Sequence, residues 1–101
     1  MTIVVQNRYF IKTGREDDGL ATRRRASRVR ADQGRPTGRI MTSEGPQEGD
    51  APTSVWECEY VDLEARQADL DWASASEEFT AVRRHMGTLL DKFERLTFRV
   101  A

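Results

Sequence analysis

The sequence predicts an α+β fold in which four strands and two helical segments form two layers. The first observation is residues 2–14, where both sides of a strand begin apolar, as in a central strand covered on both faces. The second is residues 53–61, whose side chains alternate between the two sides of a strand. The third is an apolar stripe over residues 79–93, at spacings of three and four, which is typical of an amphipathic helix.

The first predicted strand carries two polar side chains on an otherwise apolar side. Asn7 and Tyr9 share that side with isoleucine and valine residues, and Gly14 ends the strand. Acidic residues 16–18 then favour the N-terminus of a helix that runs from about residue 16 to about residue 32. We expect this helix to face the sheet through a narrow row of residues: Leu20, Arg24, Ser27 and Ala31.

The middle of the chain predicts two more strands with a loop between them. Residues 39–43 form a short second strand, and residues 53–61 form the third. The polar segment 44–52 contains two glycines and two prolines, so we expect it to be a mobile hairpin loop.

The last part of the chain predicts an interrupted helix and a final strand. Asp62 is expected to cap a helix over residues 63–73. Ser74 and Glu77 have the spacing of a capping box, which starts a second helical piece. Residues 95–101 alternate between apolar and polar side chains and form the fourth strand.

The resulting order, β-α-β-β-α-β, is the ferredoxin-like pattern, with a four-stranded antiparallel sheet whose first and third strands are central. The helices cover one face of this sheet, while the other face keeps apolar residues. Hydrophobic residues make up only 38% of the chain. We therefore expect a homodimer in which a second copy covers the open face and completes a dimeric α/β barrel.

Composition limits the class of protein. We expect residues 1–101 to form a single domain in the cytoplasm, without membrane contact, because the chain has no long apolar run and no signal-peptide pattern. Arginines are concentrated in residues 15–39, and acids in residues 44–78. A solvated helix face is favoured over nucleic-acid binding, because no nucleic-acid motif accompanies the arginines.

Several short motifs occur in an informative order and spacing. Asn-Arg at residues 7–8 precedes an apolar alternation that ends in Lys-Thr-Gly at residues 12–14. Residues 55–59 read Val-Trp-Glu-Cys-Glu, and Asp-Trp at residues 71–72 precedes the serine turn at residues 76–79. Together these motifs resemble the dimeric α/β-barrel superfamily, in particular its antibiotic-biosynthesis-type and heme-degrading monooxygenases.

The resemblance implies a cavity between the sheet and the helices of each subunit. Asn7 and Trp72 match the asparagine and tryptophan of the heme-degrading branch by local context, and His85 is the only histidine available. These three are the candidate catalytic residues, and Tyr9 and Arg83 are the candidate ligand-binding residues. Tyr9 lies in the same strand row as Asn7, and Arg83 flanks the apolar stripe.

Each candidate also has an ordinary structural interpretation. Asn7 can hold a neighbouring backbone group instead of a ligand. Tyr9 and Trp72 can serve as packing residues. His85 can be a surface residue. At about 100° of rotation per helical residue, it lies about 90° from the centre of the apolar stripe over residues 79–93, which disfavours it as a heme ligand.

We therefore expect no bound cofactor, with heme as the disfavoured alternative. We also expect no metal, since one histidine and one cysteine make a zinc site improbable. The function that the resemblance implies is a cofactor-independent monooxygenase that acts on an aromatic or polyketide-like small molecule. The alternative is a non-catalytic, stress-responsive-type dimeric barrel that binds a small ligand or has a structural role.

Overall fold

The computed structural model follows the predicted order of elements, and it describes residues 1–45, 47 and 49–101. The second helical segment is divided in two, as its internal capping serines suggested. The elements are β1 (Ile3–Ile11), α1 (Glu16–Asp32), β2 (Arg39–Thr42), β3 (Ser54–Tyr60), α2 (Leu63–Ala75), α3 (Glu77–Gly87) and β4 (Leu90–Arg99).

The four strands form one antiparallel sheet in the order β2-β3-β1-β4. The first and third strands are central, and the helices pack on one face. The predicted ferredoxin-like fold class is therefore confirmed.

Strand register assigns each side chain to the helix-covered face or to the open face of the sheet. Tyr9 lies opposite Ser54 of β3 and Phe93 of β4, and this row faces the helices. Val4 lies opposite Phe98 on the open face, which carries no covering element in the described part of the chain. The main core is therefore on the helix side, where its buried members are Ile3, Val5, Tyr9, Ile11, Trp56, Cys58, Tyr60, Met86 and Leu89.

The prediction for the buried face of α1 was wrong. Leu20 and Ser27 are half-buried and Arg24 and Ala31 are exposed, whereas the buried residues are Gly19, Thr22, Arg23, Ala26, Val29 and Arg30. A Cβ atom at Gly19 would lie 3.0 Å from Ile11 Cδ1, so glycine allows the helix to approach β1 closely. Two arginines are buried on this face, where Arg30 contacts the Asp69 carboxylate and Arg23 donates to the Tyr9 hydroxyl.

Two predicted boundaries also move. Ser76, not Ser74, caps α3, because its side chain accepts a hydrogen bond from the Phe79 amide. The apolar stripe does not continue as one helix: α3 ends at Gly87, a poor helix former, and β4 begins at Leu90. Phe93 consequently belongs to the sheet.

The loop expected to be mobile, residues 44–52, includes Pro46 and Glu48, which lie outside the described residues. Its mobility therefore stays a prediction. In the part of the chain that the structure describes, no helix combines the length and apolarity needed to cross a membrane.

Candidate functional site

A cavity of about 200 Å³ lies between the helix-covered face of the sheet and the helices. β1 supplies Asn7 and Tyr9 to its lining, and α1 supplies Arg23 and Arg30. Apolar side chains from α3 and β4, including Met86, form much of the remaining wall. The cavity therefore combines an apolar body with a small set of polar groups, as small-molecule sites generally do.

A chain of hydrogen bonds runs along one wall of the cavity. Arg95 Nε donates to Asn7 Oδ1 at 2.9 Å, and Asn7 Nδ2 donates to Tyr9 Oη at 3.3 Å. Because guanidinium can only donate, its contact fixes the amide orientation, with the oxygen toward Arg95. Arg23 Nη1 also donates to Tyr9 Oη, at 2.5 Å. The Tyr9 oxygen thus accepts two hydrogen bonds, which leaves its own proton available to donate.

A second group, which we call the Asp69 cluster, consists of Arg30, Arg35, Tyr60 and Asp69. Arg30 Nη1 contacts both Asp69 carboxylate oxygens at 2.9 and 3.0 Å, and Arg35 Nε donates to Oδ1 at 3.1 Å. The Tyr60 hydroxyl donates to Oδ2 at 2.5 Å. Asp69 is only 1% exposed, so these donors replace the water that it has lost.

The ionised state of Asp69 is stabilised by this cluster. Burial acts to raise the pKa of the carboxyl, but the Tyr60 hydroxyl and the Arg30 and Arg35 guanidiniums outweigh it and lower the pKa below its usual value. Burial and the hydrogen bond to Asp69 raise the pKa of Tyr60. The Arg30 guanidinium also lies 4.6 Å from the Trp56 ring centroid and 4.8 Å from that of Phe79, within cation–π range.

Four other arginines, which we call the unpaired arginines, line the cavity: Arg23, Arg66, Arg83 and Arg95. Within residues 1–45, 47 and 49–101, none of them has a carboxylate within 4 Å. Burial lowers the pKa of Arg95, and so do the nearby charges of Arg66 and Arg83. Burial and the charge of Arg30 lower the pKa of Arg23. The cavity therefore holds mutually repelling positive charges without a matching set of acids.

The structure brings together three of the five residues that the sequence nominated. Asn7, Tyr9 and Arg83 line the cavity, whereas Trp72 and His85 do not. Trp72 Nε1 donates to Gln33 Oε1 at 2.7 Å, and the Trp72 ring packs 4.8 Å from that of Phe79. His85 Nε2 lies 3.2 Å from Asp18 Oδ1, between α3 and α1.

Sequence reasoning missed the arginines of α1 and β4 and the buried acid of α2. The seven-residue spacing of Arg23 and Arg30 places both on one helix row with Ala26, which was the signal available. Asp69 gave no local signal, because it lies in an ordinary run of polar helix residues.

The cavity does not fit a heme of the type that the heme-degrading resemblance implies. Its axial ligand would be the one histidine of the chain, and the His85 imidazole lies outside the cavity, against Asp18. In the described ranges, no group of three or more potential metal-ligating side chains is found either.

Comparison with known proteins gives the fold but not a family. No family model matches the sequence, and no curated protein matches it. Among solved structures, an uncharacterized NIPSNAP domain protein from Burkholderia xenovorans is 20% identical, with a TM-score of 0.73 over 100% of this chain and 95% of that chain. The chain has the ferredoxin-like fold.

Two further matches carry functional descriptions. A putative antibiotic biosynthesis monooxygenase from Nitrosomonas europaea is 13% identical, with a TM-score of 0.68 over 99% of this chain and 98% of that one. SnoaB, a cofactor-independent oxygenase from Streptomyces nogalater, is 16% identical, with a TM-score of 0.67 over 99% and 93% of the two chains. Other matching structures are described as dimeric proteins of unknown function. The predicted resemblance to monooxygenases with this fold is therefore confirmed at the level of structure.

Proposed function

We propose that this protein is a cofactor-independent oxygenase that acts on an aromatic or polyketide-like compound able to ionise to an enolate or phenolate. The observation that supports this function best is the set of unpaired arginines around a largely apolar cavity. Positive charge in a desolvated site stabilises an organic anion far more than water does, so it favours ionisation of the bound compound. The fold shared with SnoaB is consistent with this chemistry.

The anion supplies the electrons in such a reaction. An activated CH2 group loses a proton to give the carbanion or enolate, which donates electrons to O2 and forms a carbon–oxygen bond. Loss of the second proton and cleavage of the oxygen–oxygen bond then give a ketone. The sum is CH2 plus O2 yielding C=O plus H2O, so no external reductant is needed. The chain contributes orientation through Asn7 and Tyr9 and charge stabilisation through the arginines.

Anthrone is a suitable probe, because its CH2 group lies between two aromatic rings and its oxidation gives a coloured quinone. Purified protein is expected to accelerate both oxygen uptake and quinone formation from anthrone. Arg23→Gln is expected to lower the rate by about a hundredfold, the effect of removing one donor to a developing oxyanion. Arg25→Gln removes the same charge from an exposed position of the same helix outside the cavity and serves as the matched control. An unchanged rate in Arg23→Gln would contradict the proposed role of the cavity.

One observation favours a second candidate function, a non-catalytic barrel that binds a small organic anion. Among the described residues that line the cavity, Asp69 is the only one with a carboxylate, and this carboxylate already accepts hydrogen bonds from two arginines and Tyr60. A binding protein needs no base, whereas an oxygenase must draw on solvent or on the acidity of the compound itself. Binding of anthrone without oxygen uptake would favour this second function.

We also propose that the protein is a homodimer whose two open sheet faces meet. Phe98 is 45% exposed on that face, opposite Val4. The charged residues there are partly satisfied, since Glu57 accepts from Gln6 and Arg39. A face of this kind can therefore be buried without leaving these charges unpaired.

Phe98→Asp is expected to convert the dimer to a monomer, because it places a charge on the proposed contact face, beside Val4 of the central strand β1. Light scattering after size exclusion measures the mass directly. Leu63→Asp is the matched control, since Leu63 is also an exposed apolar residue, at 55%, but lies on α2. A wild-type chain that is a stable monomer at micromolar concentration would contradict the dimer.

A further inference from the structure

On the closed side of the cavity, two hydrogen-bond donors have no acceptor among the described residues. Arg23 is only 6% exposed, and its Nε is buried with no partner among the described residues. The neighbouring Tyr9 hydroxyl accepts from Arg23 and from Asn7, so its proton also remains available. A buried donor without an acceptor is unfavourable, and an oxygen of a bound compound would remove that penalty.

The solvent side of the cavity contains the other three unpaired arginines. Arg66 is half-buried, and Arg83 and Arg95 are exposed residues that still reach the lining. Their known contacts are neutral oxygens: Arg66 Nη1 is 3.5 Å from Tyr60 Oη, and Arg83 Nη2 donates to the Ala73 carbonyl at 3.3 Å. Three positive charges therefore lie at the mouth of the cavity, and none has a carboxylate partner in the part of the chain that the structure describes.

Apolar side chains, including Met86, Leu90 and Phe93, also line the cavity. The centroid of the Phe93 ring lies 5.3 Å from that of the Tyr9 ring and 5.4 Å from the central guanidinium carbon of Arg95, so Phe93 contacts both polar ends. A flat ring can pack against these side chains while polar groups at its opposite ends meet the two sets of donors. The Asn7 amide connects the ends, since it bonds both Tyr9 and Arg95.

We propose that the cavity has two anion subsites and takes an aromatic acid that carries a carboxylate at one end and an ionisable hydroxyl or enol at the other. The mouth arginines bind the carboxylate, and Arg23 with Tyr9 binds the hydroxyl or enol oxygen. The assignment of each group to its subsite follows from the cost of removing water from it. A charged carboxylate is costly to bury, so it binds at the solvent side of the cavity, whereas a weakly acidic hydroxyl binds at the buried side. This assignment rests on the proposed function, because it concerns the same cavity and names its substrate class.

Three simple compounds separate the two subsites: para-hydroxybenzoate has both groups, benzoate only the carboxylate, and phenol only the hydroxyl. Isothermal titration calorimetry is expected to show para-hydroxybenzoate binding at least about tenfold more tightly than either. Arg95→Gln is expected to weaken benzoate about tenfold and to leave phenol nearly unchanged. Tyr9→Phe, which keeps the ring, is expected to weaken phenol and to leave benzoate nearly unchanged.

A spectroscopic readout tests the inner subsite without relying on affinity. The phenolate of para-hydroxybenzoate absorbs at longer wavelength than the phenol, so titration of the bound compound reports the pKa of its hydroxyl. We expect that pKa to fall on binding and to return toward its free value in Tyr9→Phe and in Arg23→Gln. Arg84→Gln, an exposed arginine next to Arg83 that does not line the cavity, is expected to change neither affinity nor spectrum.

The outcomes distinguish a failure of the two-subsite assignment from a failure of the proposed function. If none of the three compounds binds, the two-subsite assignment is overturned, whereas the proposed oxygenase activity fails only if anthrone gives no oxygen uptake. If benzoate binds as tightly as para-hydroxybenzoate, or if Arg95→Gln and Tyr9→Phe weaken all three equally, the two-subsite assignment is overturned while anion binding stands.

Discussion

Two groups of arginines lie in the same layer of the molecule and differ in one respect, the presence of a carboxylate. In the Asp69 cluster, Arg30 and Arg35 share one buried acid, and the Arg30 guanidinium packs among aromatic rings. The unpaired arginines have no acid within 4 Å in the described part of the chain. The first group has a carboxylate partner, whereas the contacts of the second group among the described residues are to neutral groups, so a bound anion could pair with it. Stability and binding should therefore depend on different arginines.

The largest expected effect is on stability, from removing the acid of the first group. Asp69→Ala leaves Arg30 buried without its partner and is expected to lower the free energy of unfolding by about 3–5 kcal/mol. Chemical denaturation measures this loss. Asp71→Ala, an exposed acid two residues along α2, should change it by less than about 0.5 kcal/mol. Equal losses of unfolding free energy in the two variants would contradict the claim that the Asp69 cluster stabilises the fold.

A smaller difference is expected between two buried arginines of α1. Arg30→Gln weakens the charge-assisted contacts to Asp69 and should lower the free energy of unfolding by about 2–3 kcal/mol. Arg23→Gln leaves no carboxylate unpaired and removes the repulsion with Arg30, so a change within about 1 kcal/mol is expected. The two variants are compared in the same urea titration. A greater loss in Arg23→Gln would mean that the unpaired arginines also hold the fold together.

The smallest expected effect is a pH dependence. The pKa of Asp69 is lower in the folded chain than in the unfolded chain, so the unfolded chain takes up this proton first as the pH falls. The stabilisation is therefore fully present above the unfolded value of about 3.9 and decreases as the pH falls below it. Urea midpoints should be measured from about pH 6 to about pH 3, a range that includes the unfolded-state pKa of aspartate. As the pH falls, they should decrease less steeply in Asp69→Asn than in the wild type. Parallel curves would show that Asp69 does not carry this dependence.

Strand and helix patterning was enough to predict the fold from the sequence. Alternation defined the strands, and their order defined the ferredoxin-like topology, since both are local signals that survive without a structure. The buried face of α1 was not predictable from apolar residues, because it contains only one large apolar side chain, Val29, beside small residues and two arginines whose partners are distant in the chain. Arg30 and Asp69 are separated by 39 positions, so neither residue indicates the pair locally.

The candidate site was only partly predictable for the same reason. Asn7 and Tyr9 stood out as polar residues in an apolar strand row, and the structure places both in the cavity. Trp72 and His85 were nominated by resemblance to motifs, yet each has a partner elsewhere, Gln33 and Asp18. Neither residue lines the cavity, and their catalytic roles stay predictions.

The most direct test is nuclear magnetic resonance of the arginine Nε–Hε groups during titration with para-hydroxybenzoate. The Arg23 and Arg95 signals, assigned by Arg23→Lys and Arg95→Lys, should shift in a saturable manner, because these side chains meet the bound anion. The Arg30 and Arg35 signals should move little, since Asp69 already holds them. Shifts confined to the exposed Arg24, Arg25 and Arg28 of α1, or equal shifts in both groups, would contradict the division between paired and unpaired arginines.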